Sequence, residues 1–238
     1  MHYAAADWDQ VGPAVAYALG GSPPVRCSAL NLIGRTRLRR GEPGAVATLR
    51  EGWQVAVSLR DCQWVGPAAA ALAEAAALSG DTGAAVAELT EAYELARRFG
   101  TIGVQAELAY WLGRAGRPVD GPGLQHPYAL LADGRWREAA AVWSAAGCRY
   151  EHAAALAESP ETDDQLAALA LLDALGAEPL ARLVRARLKQ LGVARIPRGP
   201  APATRINPAR LTERQVEVVQ LLAEGMTNAE IAGHLVLS

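Results

Sequence analysis

The stretch "LTERQVEVVQLLAEGMTNAEIAGHLVLS", residues 211–238, is one short grammar written twice. Thr212 stands before an apolar-periodic run and Gln215 follows three residues later. In that spacing each side chain caps the other residue's backbone N–H at a helix start. Leu211 before the cap and Val216 after it are placed to staple the first turn. Val216, Val219, Leu222 and Ala223 recur on one helical face, and Gly225 supplies the exit. Met226, Thr227, Glu230 and Ile231 then repeat staple, cap, box and staple. Ile231, Ala232 and Leu235 form the face that must pack on the first helix. Two capped helices joined by about three residues make a helix-turn-helix. Leu237 and Ser238 open the grammar a third time, which predicts a further helix beginning after Ser238.

Upstream lies "ARIPRGPAPATRINPAR", residues 194–210, with four prolines, four arginines and no acid. Prolines at that density preclude a helix and favour an extended, semi-stiff tether. Arg195, Arg198, Arg205 and Arg210 would add sequence-independent attraction to phosphates. The whole of 194–238 nevertheless carries five arginines against four glutamates, a net of only +1.

Before the tether the chain is helical in pattern. "TDDQLAALALLDALG" opens with Thr162 and Gln165 in capping-box spacing and ends on Gly176. "EPLARLVRARLKQLG" places Pro179 in a first turn and Gly192 after the last, with Leu180, Leu183, Val184, Leu188 and Leu191 as its stripe. Further upstream one motif recurs: "ADWDQV" at 6, "GEPGAV" at 41, "GDTGAA" at 80 and "GRWREA" at 134. Successive starts are 35, 39 and 54 residues apart, the first two close to the ~34-residue period of helical-hairpin arrays. "GRAGRPVDGPGLQHP", 113–127, supplies an insertion for the third. Around these turns Leu30, Ile33 and Leu38 fall near one stripe, as do Val46, Leu49, Trp53 and Val57. The sets Val86, Leu89, Tyr93, Ala96 and Ala139, Val142, Trp143 do the same. Each hairpin has an apolar face that only a stacked neighbour can cover. These segments resemble tetratricopeptide repeats, in which Gly-Asp-Tyr-x-x-Ala marks the turn into the second helix. Trp8 and Trp136 supply the aromatic; Pro43 and Thr82 stand in its place elsewhere.

Composition agrees with an all-α chain. Hydrophobic residues are 51% but aromatics 5%, so the apolar content is mainly Ala and Leu, strong helix formers. We therefore expect a tetratricopeptide-like solenoid over 1–193, a Pro/Arg-rich linker over 194–210 and a partial helix-turn-helix over 211–238. The net charge of −2 does not advertise nucleic-acid binding, so any such role must be local. No signal peptide and no ~18-residue apolar run is present, which predicts no membrane partner and a cytoplasmic protein. Cys27, Cys62 and Cys148, odd in number and without CxxC spacing, read as reduced apolar residues rather than metal ligands.

The terminal residues carry a family resemblance. Leu211, Thr212, Glu213, Glu217, Val218, Leu221, Leu222, Ala223, Gly225, Asn228, Glu230, Ile231, Ala232, Leu235 and Ser238 resemble the first two helices of the LuxR-type DNA-binding domain. The helical repeats and linker before them look like the C-terminal portion of large LuxR-type regulators that carry an ATPase. No GxxxxGK[ST] occurs here, so no phosphate loop is expected. The resemblance implies a transcription regulator whose DNA-binding positions include Thr212, Arg214, Thr227, Asn228, Glu230 and Ser238. It also implies that the third helix reads bases and that the fourth commonly supports a homodimer. Neither lies within this chain, so weak or no specific DNA binding is expected of residues 1–238 alone. The repeats would serve as a platform for a protein or small-molecule effector.

The remaining features read as structural. "RTRLRR", 35–40, reads as a solvated helix face. His2, His126, His152 and His234 lack triad or metal spacing, and the six tryptophans read as repeat core. No nucleophile–base set can be assembled, so no enzyme and no cofactor is expected. The alternative to a DNA-binding regulator is a helical protein–protein interaction module without DNA function.

Overall fold

Eighteen residues from Cys62 to Ser79 form the most enclosed helix of the protein, and their alanines explain why. Between Ala68 and Ala76 every side chain is buried. A helix apolar on all sides must be surrounded, and small side chains let several neighbours approach at once. The structure is a computed structural model that describes residues 8–99, 102–119, 126–199, 204, 207, 209 and 211–235. The chain separates into two compact units, Met1–Pro197 and Arg198–Ser238.

In the first unit the α-helices are α1 (Val11–Val15), α2 (Pro23–Arg40), α3 (Ala45–Leu59), α4 (Cys62–Ser79), α5 (Val86–Phe99) and α6 (Ile102–Arg114). They continue as α7 (Pro127–Ala132), α8 (Trp136–Ala145), α9 (Arg149–Glu158), α10 (Thr162–Leu175) and α11 (Glu178–Gln190). The described residues form no strand, so the fold is all-α. Consecutive helices pack on one another from α2 to α11, and α4 also meets α2, α6 and α11.

Three of the recurrent motifs fall on helix–helix turns. Gly41, Gly80 and Gly134 each adopt the left-handed conformation, at φ +73°, +85° and +72°. That conformation lets the backbone N–H groups of Gly41 and Glu42 reach back to Leu38 and Arg37, closing the end of α2 as a left-handed glycine does. The first motif begins at Ala6; its described part is a 3-10 turn at Trp8–Gln10 leading into α1.

The array does not stay open. In a linear stack each hairpin touches only its neighbours, whereas here α11 packs against α2 and α4. Part of "RTRLRR" is enclosed as well. Arg39 is 2% exposed and donates from Nε and Nη2 to the two carboxylate oxygens of Glu74, at 2.7 and 3.1 Å. Its Nη1 donates to Glu151 on α9 at 2.8 Å, and its guanidinium lies 3.9 Å over the Tyr150 ring. Arg35 pairs with Glu107 on α6 at 2.9 Å and with Glu74 at 3.6 Å. Arg35 and Arg39 are therefore not on a solvated face, while Arg37 of the same run is exposed. Spaced four apart on α2, these two arginines point into the closed side of the array, where carboxylates from α4, α6 and α9 converge.

Other faces shift by a residue for a shared reason: the closest contacts use the smallest side chains. On α3 the buried set is Ala45, Leu49, Gly52 and Ala56, while Val46 is half-exposed. A Cβ on Gly34 would lie 2.5 Å from Leu49 Cδ2, so α2 and α3 touch where no side chain fits. On α11 the buried residues are Pro179, Ala181, Val184 and Leu188, with Leu183 and Leu191 outside. The start of α10 also differs from the expected box. Glu161 is the cap residue, and Thr162 is already helical. Ser159 does the capping work: its hydroxyl donates to Asp164 at 2.6 Å and accepts the Glu161 N–H at 3.1 Å. Gln165, fully buried, donates to the Ser159 carbonyl at 2.8 Å. None of the three cysteines is in a disulfide, and Cys27 and Cys62 are buried. Among the described residues no helix is long and apolar enough to cross a membrane.

Candidate nucleic-acid interface

The second unit contains α12 (Glu213–Ala223) and α13 (Asn228–His234). Both begin as their sequences require. On α12 the Gln215 N–H donates to Thr212 Oγ1 at 3.2 Å, and the Thr212 N–H donates to Gln215 Oε1 at 2.8 Å. On α13 the Glu230 N–H donates to Thr227 Oγ1 at 3.4 Å. The Thr227 N–H and hydroxyl both donate to Glu230 Oε2, at 2.8 and 2.7 Å. Those bonds, the backbone N–H first and the hydroxyl second, hold the Glu230 carboxyl below its ordinary pKa. Gly225, at φ +84°, turns the chain between the helices.

The packing face is Leu221, Ile231 and Leu235, all buried, with Val218 and Met226 against them. On α13 this agrees with the sequence pattern for Ile231 and Leu235. On α12 it does not: Val219 and Leu222 are each 50% exposed, and Ala223 is exposed. The Met226 N–H reaches the Leu221 carbonyl at 3.2 Å, which brings α13 back over the Val218–Leu221 line. Val219 and Leu222 lie one residue, ~100°, further round the helix.

Arg214 has a part inside the unit. Its Nη1 donates to Glu217 at 2.8 Å, and its Nη2 donates to the Leu235 carbonyl. The guanidinium thus ties the first turn of α12 to the last carbonyls of α13, where positive charge is favourable. Sequence spacing alone does not reveal this bond, because the partners are 21 residues apart.

The residues singled out from the sequence fall into two groups. Thr227, Asn228 and Glu230 sit together at the start of α13, and all are exposed. Thr212 and Arg214 sit at the start of α12, exposed, with Arg214 reaching the far end of α13. A seven-residue helix separates the two ends, which is ~10 Å. The cap consumes the Thr227 and Glu230 amides; those of Asn228 and Ala229, at the first two helical positions, have no intrahelical acceptor. Arg195 and Arg198 are exposed and lie in chain without regular secondary structure. Arg195 sits beside anchored residues, since Ile196 packs on the helical core and Arg185 donates to the Pro197 carbonyl at 3.0 Å. Arg205, Arg210 and Ser238 lie outside the described residues.

Residues 209–238 match the family model GerE, described as bacterial regulatory proteins, luxR family. The two boxed helices lie within that match. It supports a DNA-binding transcription regulator in general. No curated protein and no solved structure matches the chain.

Proposed function

We propose that the chain is part of a LuxR-type transcription regulator in which a tetratricopeptide-like helical domain, 1–193, serves as an effector or partner platform. A linker, 194–210, joins it to the DNA-binding portion, 211–238. The observation that carries this reading is the pair of reciprocally boxed helices inside the family match. The platform role draws support from the charged groups that the otherwise apolar helical unit gathers inside it, the Arg35–Glu107 and Arg39–Glu151 pairs. In this reading Thr212, Arg214, Thr227, Asn228, Glu230 and Ser238 are the DNA-binding positions, Thr212, Thr227 and Glu230 also shaping the helix starts and Arg214 locking the pair. Arg195, Arg198, Arg205 and Arg210 add phosphate contacts, and a homodimer and a cytoplasmic location belong to the same proposal.

The second reading, a helical interaction module without DNA function, draws on one observation. The residues from 194 onward have a net charge of only +1, and one of their arginines, Arg214, is engaged internally. Fluorescence anisotropy of a labelled duplex titrated with the whole chain at several salt concentrations separates the two. The regulator reading predicts weak, salt-dependent binding. Replacing the four linker arginines by alanine flattens the slope of log K against log salt by up to ~3.6, at ~0.9 per phosphate contact. Absence of binding at low salt, or a slope unmoved by the four replacements, favours the second reading.

A further inference from the structure

The closed side of the helical unit holds a cavity of about 80 Å³ whose walls come from α2, α4, α6, α7, α8, α9 and α11. One water-sized site takes ~10–15 Å³, so the space accommodates roughly half a dozen heavy atoms. Its lining is unlike the rest of the chain. Aromatics are 5% of the sequence, yet five of the sixteen lining residues are Tyr110, Trp111, Tyr128, Trp143 and Tyr150. Two of their pairs stand edge to face, Tyr110 to Trp111 at 5.1 Å and Tyr128 to Trp143 at 5.5 Å between centroids, while Tyr110 and Tyr128 are tilted at 37°. Trp111 and Trp143 therefore do more than fill the core assigned to them from sequence.

The charges decide what fits between those rings. Two arginines and three glutamates line the space, an excess of one negative charge. Arg39 is held by both oxygens of Glu74 and one of Glu151, and Arg114 by Glu158 and the Tyr110 hydroxyl. An anion would have to displace these carboxylates from their own arginines. Glu151 Oε2, in contrast, is buried with no hydrogen-bond partner among the described residues. A buried carboxylate oxygen without a donor is costly. A neutral apolar guest would leave it bare, whereas an ammonium group supplies both the donor and the charge. Aromatic rings around a desolvated cation add to its binding, and with Arg39 over Tyr150 and Arg114 over Tyr110 the rings left for it are Trp111, Tyr128 and Trp143.

We infer that this cavity binds a small organic cation, an ammonium on a short aliphatic body, with its head between Glu151 and the aromatic walls. As an effector site it deepens the platform role proposed above and rests on that reading only for its regulatory meaning. Binding is measured without DNA, so its failure and the failure of the DNA-binding reading are separate results. The probes are n-butylammonium, its neutral counterpart n-butanol and the anion butyrate. Each is titrated into the whole 238-residue chain by calorimetry, with tryptophan fluorescence as a second signal. Butylammonium saturates and binds about tenfold or more tightly than butanol, butyrate does not bind, and Glu151→Gln removes that preference. Trp143→Leu, which keeps Glu151, weakens butylammonium and quenches less fluorescence. The wild-type ranking stands even where a variant fails to fold. No saturation by butylammonium, butanol binding as tightly, or a preference that survives Glu151→Gln in folded protein overturns the assignment.

Discussion

Replacing Glu74 by glutamine removes one charge from the centre of the helical unit while keeping the side chain's shape. Glu74 is 4% exposed and receives two bonds from Arg39, with Arg35 at 3.6 Å. Burial alone would raise its carboxyl pKa, but the charges of Arg39 and Arg35 and the Arg39 hydrogen bonds overcome that effect and lower it. Breaking one side of a buried pair costs ~3–5 kcal/mol, because the remaining charge stays desolvated. Arg39 keeps Glu151 at 2.8 Å and the Tyr150 face, so the lower end, ~3 kcal/mol, is expected for Glu74→Gln. Urea denaturation followed by helical circular dichroism measures it. The pH dependence supplies the sharper check. A carboxyl whose folded pKa is depressed contributes its stability in full above the unfolded value. That contribution is lost as pH falls through the folded one. The gap between wild type and variant is therefore complete at neutral pH and persists down to the ordinary value of 4.5. It closes only at more acid pH. A gap below ~1 kcal/mol, the level of an exposed pair, or one already closing above that value, refutes the reasoning.

Gly34→Ala should destabilise despite a helix-propensity gain of ~1 kcal/mol. The new Cβ lies 2.5 Å from a buried leucine, and overpacking costs ~1–3 kcal/mol; equal or higher stability in denaturant contradicts this. Thr227→Ala should cost the terminal unit about 1 kcal/mol, read as faster amide exchange at Glu230 and across α13, while Thr227→Ser stays near wild type. Arg214→Ala should loosen α13 at its C-terminal end, because the Leu235 carbonyl loses its donor; amide exchange there unchanged from wild type argues against that bond.

How much of this was legible in the residues differs by region, for physical reasons. The capping boxes at Thr212 and Thr227 are local hydrogen bonds over three residues, and the structure makes both. The glycine turns at 41, 80 and 134 are equally local. Faces were less legible where α-helices approach through small residues, since a pattern weighted by large apolar side chains overlooks Gly34, Gly52 and Ala56. Hence the pattern puts Val46 and Leu183 inside, whereas both lie largely exposed. Least legible was "RTRLRR", whose partners Glu74, Glu107 and Glu151 come from α4, α6 and α9. A basic run reads as solvated until the fold brings acids 35, 72 and 112 residues away to meet it. The aromatic cavity has the same origin: its five rings come from four α-helices, and no spacing in the sequence joins them.

The central claim is that residues 211–238 belong to a DNA-binding portion of a regulator, and site occupancy in the cell of origin tests it most directly. The native protein, tagged at its own locus, is crosslinked to DNA and recovered, alongside a version lacking residues 211–238 but keeping every other residue. The account predicts discrete enriched DNA sites for the native protein and their loss in the deleted one. No enriched sites, or sites that persist after the deletion, contradict it.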